Sequence, residues 1–173
     1  TSQIVNSSEM LLQLINDLLD FSKIEAGKLA LDYGPYNLRQ SIRKLLDIFH
    51  AQASNKGLTI KLNIDKELPK EMIFDELRLK QVLANLISNA IKFSSAGDIE
   101  IGIKVKQKDN THCLFDVWVQ DNGIGISESQ QENLFQPFIQ AESSTARKYG
   151  GSGLGLNICN KLLEQMSSKL HVV

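Results

Sequence analysis

The sequence predicts an α+β fold: a two-layer α/β sandwich in which helices cover one face of a mixed sheet, preceded by a long N-terminal helix. Three observations carry this expectation. Apolar residues recur at threes and fours in several stretches, they alternate in three short ones, and a glycine-rich segment runs into a last helical stretch. The 173 residues are enough for one substantial core. The 19 basic and 20 acidic residues nearly cancel, so no excess positive field invites nucleic acid or an anionic membrane. No apolar run approaches the roughly 20 residues that cross a bilayer, and the start at Thr1-Ser2-Gln3-Ile4 lacks a signal-peptide pattern. The chain therefore reads as soluble and intracellular. Cys113 and Cys159 each lie in an apolar stretch and read as buried, reduced, structural thiols.

In chain order, residues 4–26 place Ile4, Leu11, Leu14, Ile15, Leu18, Leu19 and Ile24 on helical spacing and stop at Gly27. An amphipathic helix of this length needs a cover, and a missing segment or a second copy is the expected one. Gly34-Pro35 reads as a turn. Residues 38–53 repeat the helical spacing, and 58–64 alternate as a half-buried strand does. Residues 75–93 are helical again, with Asp75 as the cap. Residues 99–106 and 113–119 read as an antiparallel pair around the polar turn at 108–111. Residues 120–152 form a glycine-containing loop, a length that in a compact domain usually serves function. A last helix over 154–166 and a short strand over 169–173 complete the sandwich.

Three stretches carry chemistry. On the third helix, a turn of about 100° per residue gathers Arg78, Gln81, Asn85, Asn89 and Lys92 on one arc, opposite Leu79, Leu83, Leu86, Ile87 and Ala90. Asparagine is a mediocre helix former, so two of them four residues apart suggest a site, although a solvated face explains the arc as well. An amide oxygen suits Mg²⁺ and Lys92 suits phosphate. Asp121-Asn-Gly-Ile-Gly-Ile126 follows a strand end. The carboxylate can accept from an exocyclic amine such as that of adenine, and Gly123 and Gly125 allow a flat base close to the backbone; a plain hairpin turn is the alternative. Gly150-Gly-Ser-Gly-Leu-Gly-Leu156 enters the last helix, so bare N–H groups and a helix N-terminus can face an anion. Its spacing fits neither the dinucleotide fingerprint nor the P-loop. Upstream, residues 143–149 form a candidate lid whose Arg147 or Lys148 could reach phosphate; a surface loop with no ligand is the alternative.

In this order the residues resemble the catalytic and ATP-binding domain of sensor histidine kinases, within the superfamily that includes gyrase and heat-shock-chaperone ATPases. The asparagine motif is Asn85-Leu-Ile-Ser-Asn89-Ala-Ile-Lys92-Phe93, and the first glycine motif is Asp121-Asn-Gly-Ile-Gly125. The phenylalanine motif is Phe135-Gln-Pro-Phe138, and the second glycine motif is Gly151-Ser-Gly-Leu-Gly155. Residues 14–28 also resemble the second helix of the dimerisation hairpin, especially of hybrid kinases. The resemblance thus implies a hairpin helix over 1–27 and a catalytic domain over 28–173. It implies ATP and Mg²⁺ as cofactors, with Asn89 on the metal, Asp121 on the adenine amine, and Asn85 and Lys92 facing the phosphates as the catalytic pair. Gly123, Gly125 and Ile126 would lie at the nucleotide, Gly151, Ser152, Gly153, Leu154, Gly155 and Leu156 along the triphosphate, and Arg147 in the lid. Phe135 and Phe138 would pack the base of the lid.

The implied activity is protein-histidine kinase. The related ATPases carry a glutamate where this chain has Asn85, and an amide cannot take a proton from water, so transfer is favoured over hydrolysis. The implied partners are a histidine-bearing hairpin helix of the same kinase, a second copy in a homodimer of the full-length protein, and a response-regulator receiver domain. The implied place is the cytoplasm, with the full-length protein open to a membrane anchor. The family's phosphoacceptor run is absent, and His50, His112 and His171 stand in unrelated contexts, so autophosphorylation of this chain alone is not expected. Met166-Ser-Ser-Lys169 replaces the family's glycine pair, and the chain is expected to be a fragment short of its final strand. The competing readings are a non-catalytic nucleotide-sensing or dimerising module, and an ATPase or serine kinase of the same superfamily.

Overall fold

A computed structural model describes residues 2–131, 133–136 and 153–173. The chain divides into two compact units, Asp32–Gly125 on one hand and Thr1–Leu31 with Ile126–Val173 on the other.

In the unit Asp32–Gly125, α2 (Leu38–Asn55) starts where the Asn37 side chain accepts from the Gln40 N–H at 3.0 Å. The helix buries Leu38, Ile42, Leu45, Leu46, Phe49 and Ala53, the predicted apolar stripe. It stops at Lys56 and at Gly57, whose φ of +70° suits a residue without a Cβ. Strand β2 (Leu58–Ile64) then pairs in parallel with β4 (Gly97–Lys108), which pairs antiparallel with β5 (Cys113–Gln120). The order β2-β4-β5 makes β4 central, and Ile99, Ile101 and Ile103 on one of its faces are fully buried. On the other face Gly102 stands opposite Trp118, and a Cβ there would lie 1.9 Å from the indole. Only glycine lets the ring lie on the strand at that point.

Helix α3 (Glu76–Phe93) packs on α2, β4 and β5. Asp75 caps it through Arg78 N–H at 2.9 Å and also accepts from Asp32 N–H at 2.8 Å, which accounts for a carboxylate only 2% exposed. The mixed sheet with packed helices agrees with the predicted fold class. Gly34-Pro35 is not a simple turn: β1 (Gly34–Tyr36) pairs antiparallel with β3 (Met72–Phe74) in a separate ribbon, closed by an edge-on contact of Tyr36 and Phe74.

In the other unit, α1 (Ser2–Glu25) packs on α5 (Gly155–Gln165), with the short α4 (Glu128–Gln131) between them in sequence. Helix α5 buries Asn157, Ile158, Cys159, Leu162 and Leu163. Lys161 bonds Glu25 and lies 5.9 Å from the Phe21 ring. Helix α1 buries Asp17 and Ile24, while Leu11, Leu12, Ile15, Leu18 and Leu19 remain 47–60% exposed. Burial, helped by the nearby Asp17 charge, pushes the Cys159 thiol up to about 12, which makes it a poor nucleophile as expected; Cys113, expected to be buried, is only half-buried, and partial desolvation raises its pKa as well. The predicted strand over 169–173 does not form. Its residues alternate, but a strand exists only through ladder hydrogen bonds to a neighbour, and these residues have none.

Candidate functional site

The polar arc of α3 keeps only partial contact with solvent. Arg78, Gln81, Asn85, Asn89 and Lys92 are all half-buried, while Leu79, Val82, Leu83, Ile87, Ala90 and Ile91 fill the core side. Leu86, predicted for the core side, is half-buried too. Along the arc, Arg78 Nη1 donates to Gln81 Oε1 at 2.8 Å, and Asn89 Nδ2 donates to Asn85 Oδ1 at 3.1 Å. The second bond divides the two carboxamides chemically. It uses a donor of Asn89 and an acceptor of Asn85, leaving the Asn89 oxygen to ligate a hard cation and the Asn85 amide hydrogens to face an anion. One turn on, the Lys92 ammonium lies 4.9 Å from the centre of the Phe93 ring, and burial lowers its pKa. A partly desolvated cation gains more from a phosphate than an exposed one does.

The loop after β5 meets the same helix end. Asp121 Oδ1 accepts from the Gly123 N–H at 2.8 Å, which fixes the carboxylate and leaves its second oxygen as an acceptor. A Cβ on Gly123 would lie 2.5 Å from that Asp121 oxygen and 2.9 Å from the Phe93 carbonyl oxygen, so the close approach of loop to helix requires glycine. Gly125 has φ +72°, and Ile124 is 77% exposed, an apolar surface beside the fixed acceptor. Adenine wants both features: a carboxylate for its amine and apolar area for its ring.

In the other unit, Gly153 has φ +70°, and Leu154 heads α5 with no side-chain cap. The first-turn N–H groups of Gly155, Leu156 and Asn157 have no acceptor within the helix, the arrangement that attracts phosphate. Ile126 is 40% exposed and accepts from Gln131 Nε2 at 3.3 Å through its carbonyl. Half-buried Phe135 is held through its carbonyl, which accepts from Asn157 Nδ2 at 2.5 Å. This tether spans 22 positions and left no signal in the sequence. Phe138, Arg147, Lys148, Gly151 and Ser152 lie outside the described residues. His50, His112 and His171 are exposed.

Residues 74–173 match the family described as histidine kinase-, DNA gyrase B-, and HSP90-like ATPase. The chain is 43% identical over 167 residues to the signal transduction histidine-protein kinase BarA of Escherichia coli K12, covering 96% of this chain and 18% of that protein. It is 41% identical over 168 residues to the autoinducer 2 sensor kinase/phosphatase LuxQ of Vibrio vulnificus, covering 96% of this chain and 20% of that protein. The chain thus spans about a fifth of these relatives. The crystal structure of full-length ShkA in complex with AMPPNP superposes with a TM-score of 0.78 at 30% identity, covering 96% of this chain and 33% of that one.

Proposed function

Because the chain belongs to the histidine kinase-, DNA gyrase B-, and HSP90-like ATPase family, we propose that it is the ATP- and Mg²⁺-dependent catalytic part of a two-component sensor histidine kinase, transferring the γ-phosphoryl group to a histidine on another segment. The observation that carries this reading is the Asn89-to-Asn85 hydrogen bond on a half-buried arc. It would leave one oxygen and one amide for the same ligand, and neither carboxamide can act as a general base toward water. The donor set fits a hard cation that takes oxygen ligands: Asn89 would hold Mg²⁺ together with nucleotide oxygens, and the ion would neutralise charge that develops on the phosphates. Asp121 would accept from the adenine amine. Lys92 and the Asn85 amide would face the phosphates, as would Gly151, Ser152, Gly153, Leu154, Gly155, Leu156 and Arg147.

In this reading residues 1–27 are the second helix of a dimerisation and phosphotransfer hairpin, and 28–173 are the catalytic domain. The exposed apolar row of α1 supports that division, since a second helix is its natural cover. Partners follow from it: the histidine-bearing helix, a second copy of the kinase, and a response-regulator receiver domain, all on the cytoplasmic side. Among the described residues no helix is long and apolar enough to cross a membrane.

The test mixes this chain with a separate histidine-bearing hairpin and γ-labelled ATP. Label should appear on the hairpin; an intact hairpin that stays unlabelled while nucleotide binds would remove the transfer reading. Calorimetry with Mg-ATP checks the site itself. Asp121→Ala should weaken binding by roughly 10- to 100-fold, the loss of one charge-assisted hydrogen bond worth about 1.5–3 kcal/mol. Equal affinity of parent and Asp121→Ala would show the adenine assignment to be wrong.

A further inference from the structure

Lys56 lies far in sequence from every nucleotide motif, yet its ammonium donates to the carbonyl oxygens of Ile91 at 2.9 Å and Lys92 at 3.1 Å. These carbonyls belong to the last turn of α3, where no intrahelical N–H remains to satisfy them and where the helix dipole is negative. The lysine's own backbone is fixed: it caps α2, its N–H donating to the Ala53 carbonyl at 2.9 Å, while the N–H of Gly57 donates to the Ser54 carbonyl at 2.9 Å and Gly57 turns the chain away. On the same turn of α3, Lys92 projects its half-buried ammonium, and the Phe93 carbonyl sits against Gly123 of the Asp121 loop. Residues 91–93 are therefore the junction at which the phosphate-facing lysine and the base-reading loop are set relative to each other. Lys56 holds that junction from the side of α2.

We infer that Lys56 is a positioning residue for nucleotide binding, which acts by locking the C-terminal turn of α3 and, through it, Lys92 and the Asp121 loop. The inference rests on the nucleotide site proposed above. Without the ammonium, two helix-end carbonyls turn to water, the last turn frays, and Lys92 loses its fixed direction. The Asn85–Asn89 pair lies one to two turns further into the helix and keeps its geometry.

Calorimetry with Mg-ATP on the full chain tests this, with Lys56→Met, Lys56→Arg, Lys92→Met and the Lys56→Met/Lys92→Met double variant, all at a temperature where each is folded. Lys56→Met should bind about tenfold more weakly, the scale of one charge-assisted hydrogen bond. Lys56→Arg, whose guanidinium can span two carbonyls, should return to within about threefold of the parent. The double variant should bind less weakly than the product of the single losses, because Lys56 acts through Lys92. Loss of stability without loss of affinity, or fully multiplying losses, overturns the role. If Lys56→Met does not fold, Lys56→Gln, whose amide can still donate to one carbonyl, carries the same comparison. Should Asp121→Ala and Lys92→Met also bind as the parent does, the nucleotide site falls and this role with it. If those two weaken binding while Lys56→Met does not, only the role of Lys56 is overturned.

Discussion

Lys92 has its pKa lowered by burial, so it gives up its proton at a lower pH than the ordinary 10.5 of a lysine. A phosphate brought beside it favours the charged form and raises that pKa again, so nucleotide binding and protonation of Lys92 support each other. The sign follows directly. Mg-ATP affinity should fall on the alkaline side before pH 10.5, and binding in that range should take up protons, visible as heats that differ between buffers of unlike ionisation enthalpy. Lys92→Met should bind more weakly and lose both the alkaline fall and the proton uptake. A parent whose affinity is flat to pH 10.5 would separate Lys92 from the phosphates. The sequence foretold the identity of Lys92 and its arc through helical spacing, but not its partial burial. That burial depends on where α3 lies in its unit, which spacing alone does not determine.

At the scale of elements, legibility followed length. Helices α2 and α3 and strands β2, β4 and β5 each repeat a period often enough to be read, and their ends fall within two residues of expectation. The three-residue strands β1 and β3 are too short to show a period, so Gly34-Pro35 resembled a turn. The end of α5 falls within one residue of expectation, but its closing device left no signal, because it is built from residues that rarely adopt it. Ser167 N–H bonds the Glu164 carbonyl at 3.1 Å and Ser168 N–H the Leu163 carbonyl at 2.8 Å, a paired closure that places Ser167 at φ +55°. A side chain at that φ is strained, and glycine is not. Ser167→Gly should therefore stabilise the protein by about 0.5–1 kcal/mol, raising the melting temperature by about 1–4 °C. Ser167→Val, β-branched in the same conformation, should lower it. An unchanged or lower melting point for Ser167→Gly would mean that the serine hydroxyl compensates for the strain.

At the scale of the whole molecule, a net charge of −1 puts little long-range repulsion into the fold near neutrality, so acid sensitivity must come from particular carboxylates. Three in the unit Asp32–Gly125 have a lowered pKa; Asp109 bonds only within the exposed turn between β4 and β5, whereas Asp65 and Glu76 join separate elements. Asp65 follows β2 and accepts from the N–H groups of Glu67 at 3.0 Å and Val105 at 3.1 Å; those bonds, with Lys104 beyond them, hold its pKa below 3.8. Glu76 accepts from the Ser41 hydroxyl and, helped by Lys80, stays below 4.5 against the opposing effect of burial. A carboxylate with a lowered folded pKa contributes stability that is complete above its unfolded pKa and is lost as pH falls through the folded value. Stability should therefore be level above about pH 5 and decline below about pH 4.5 as both groups protonate. Asp65→Asn should be less stable than the parent at neutral pH, because an amide has one acceptor oxygen where the carboxylate has two, and its acid decline should be shallower. Urea midpoints measured between pH 3 and pH 7 decide this. Parallel curves for parent and Asp65→Asn would mean that Asp65 titrates alike in both states, and that its hydrogen bonds join β2 to β4 without coupling the fold to pH.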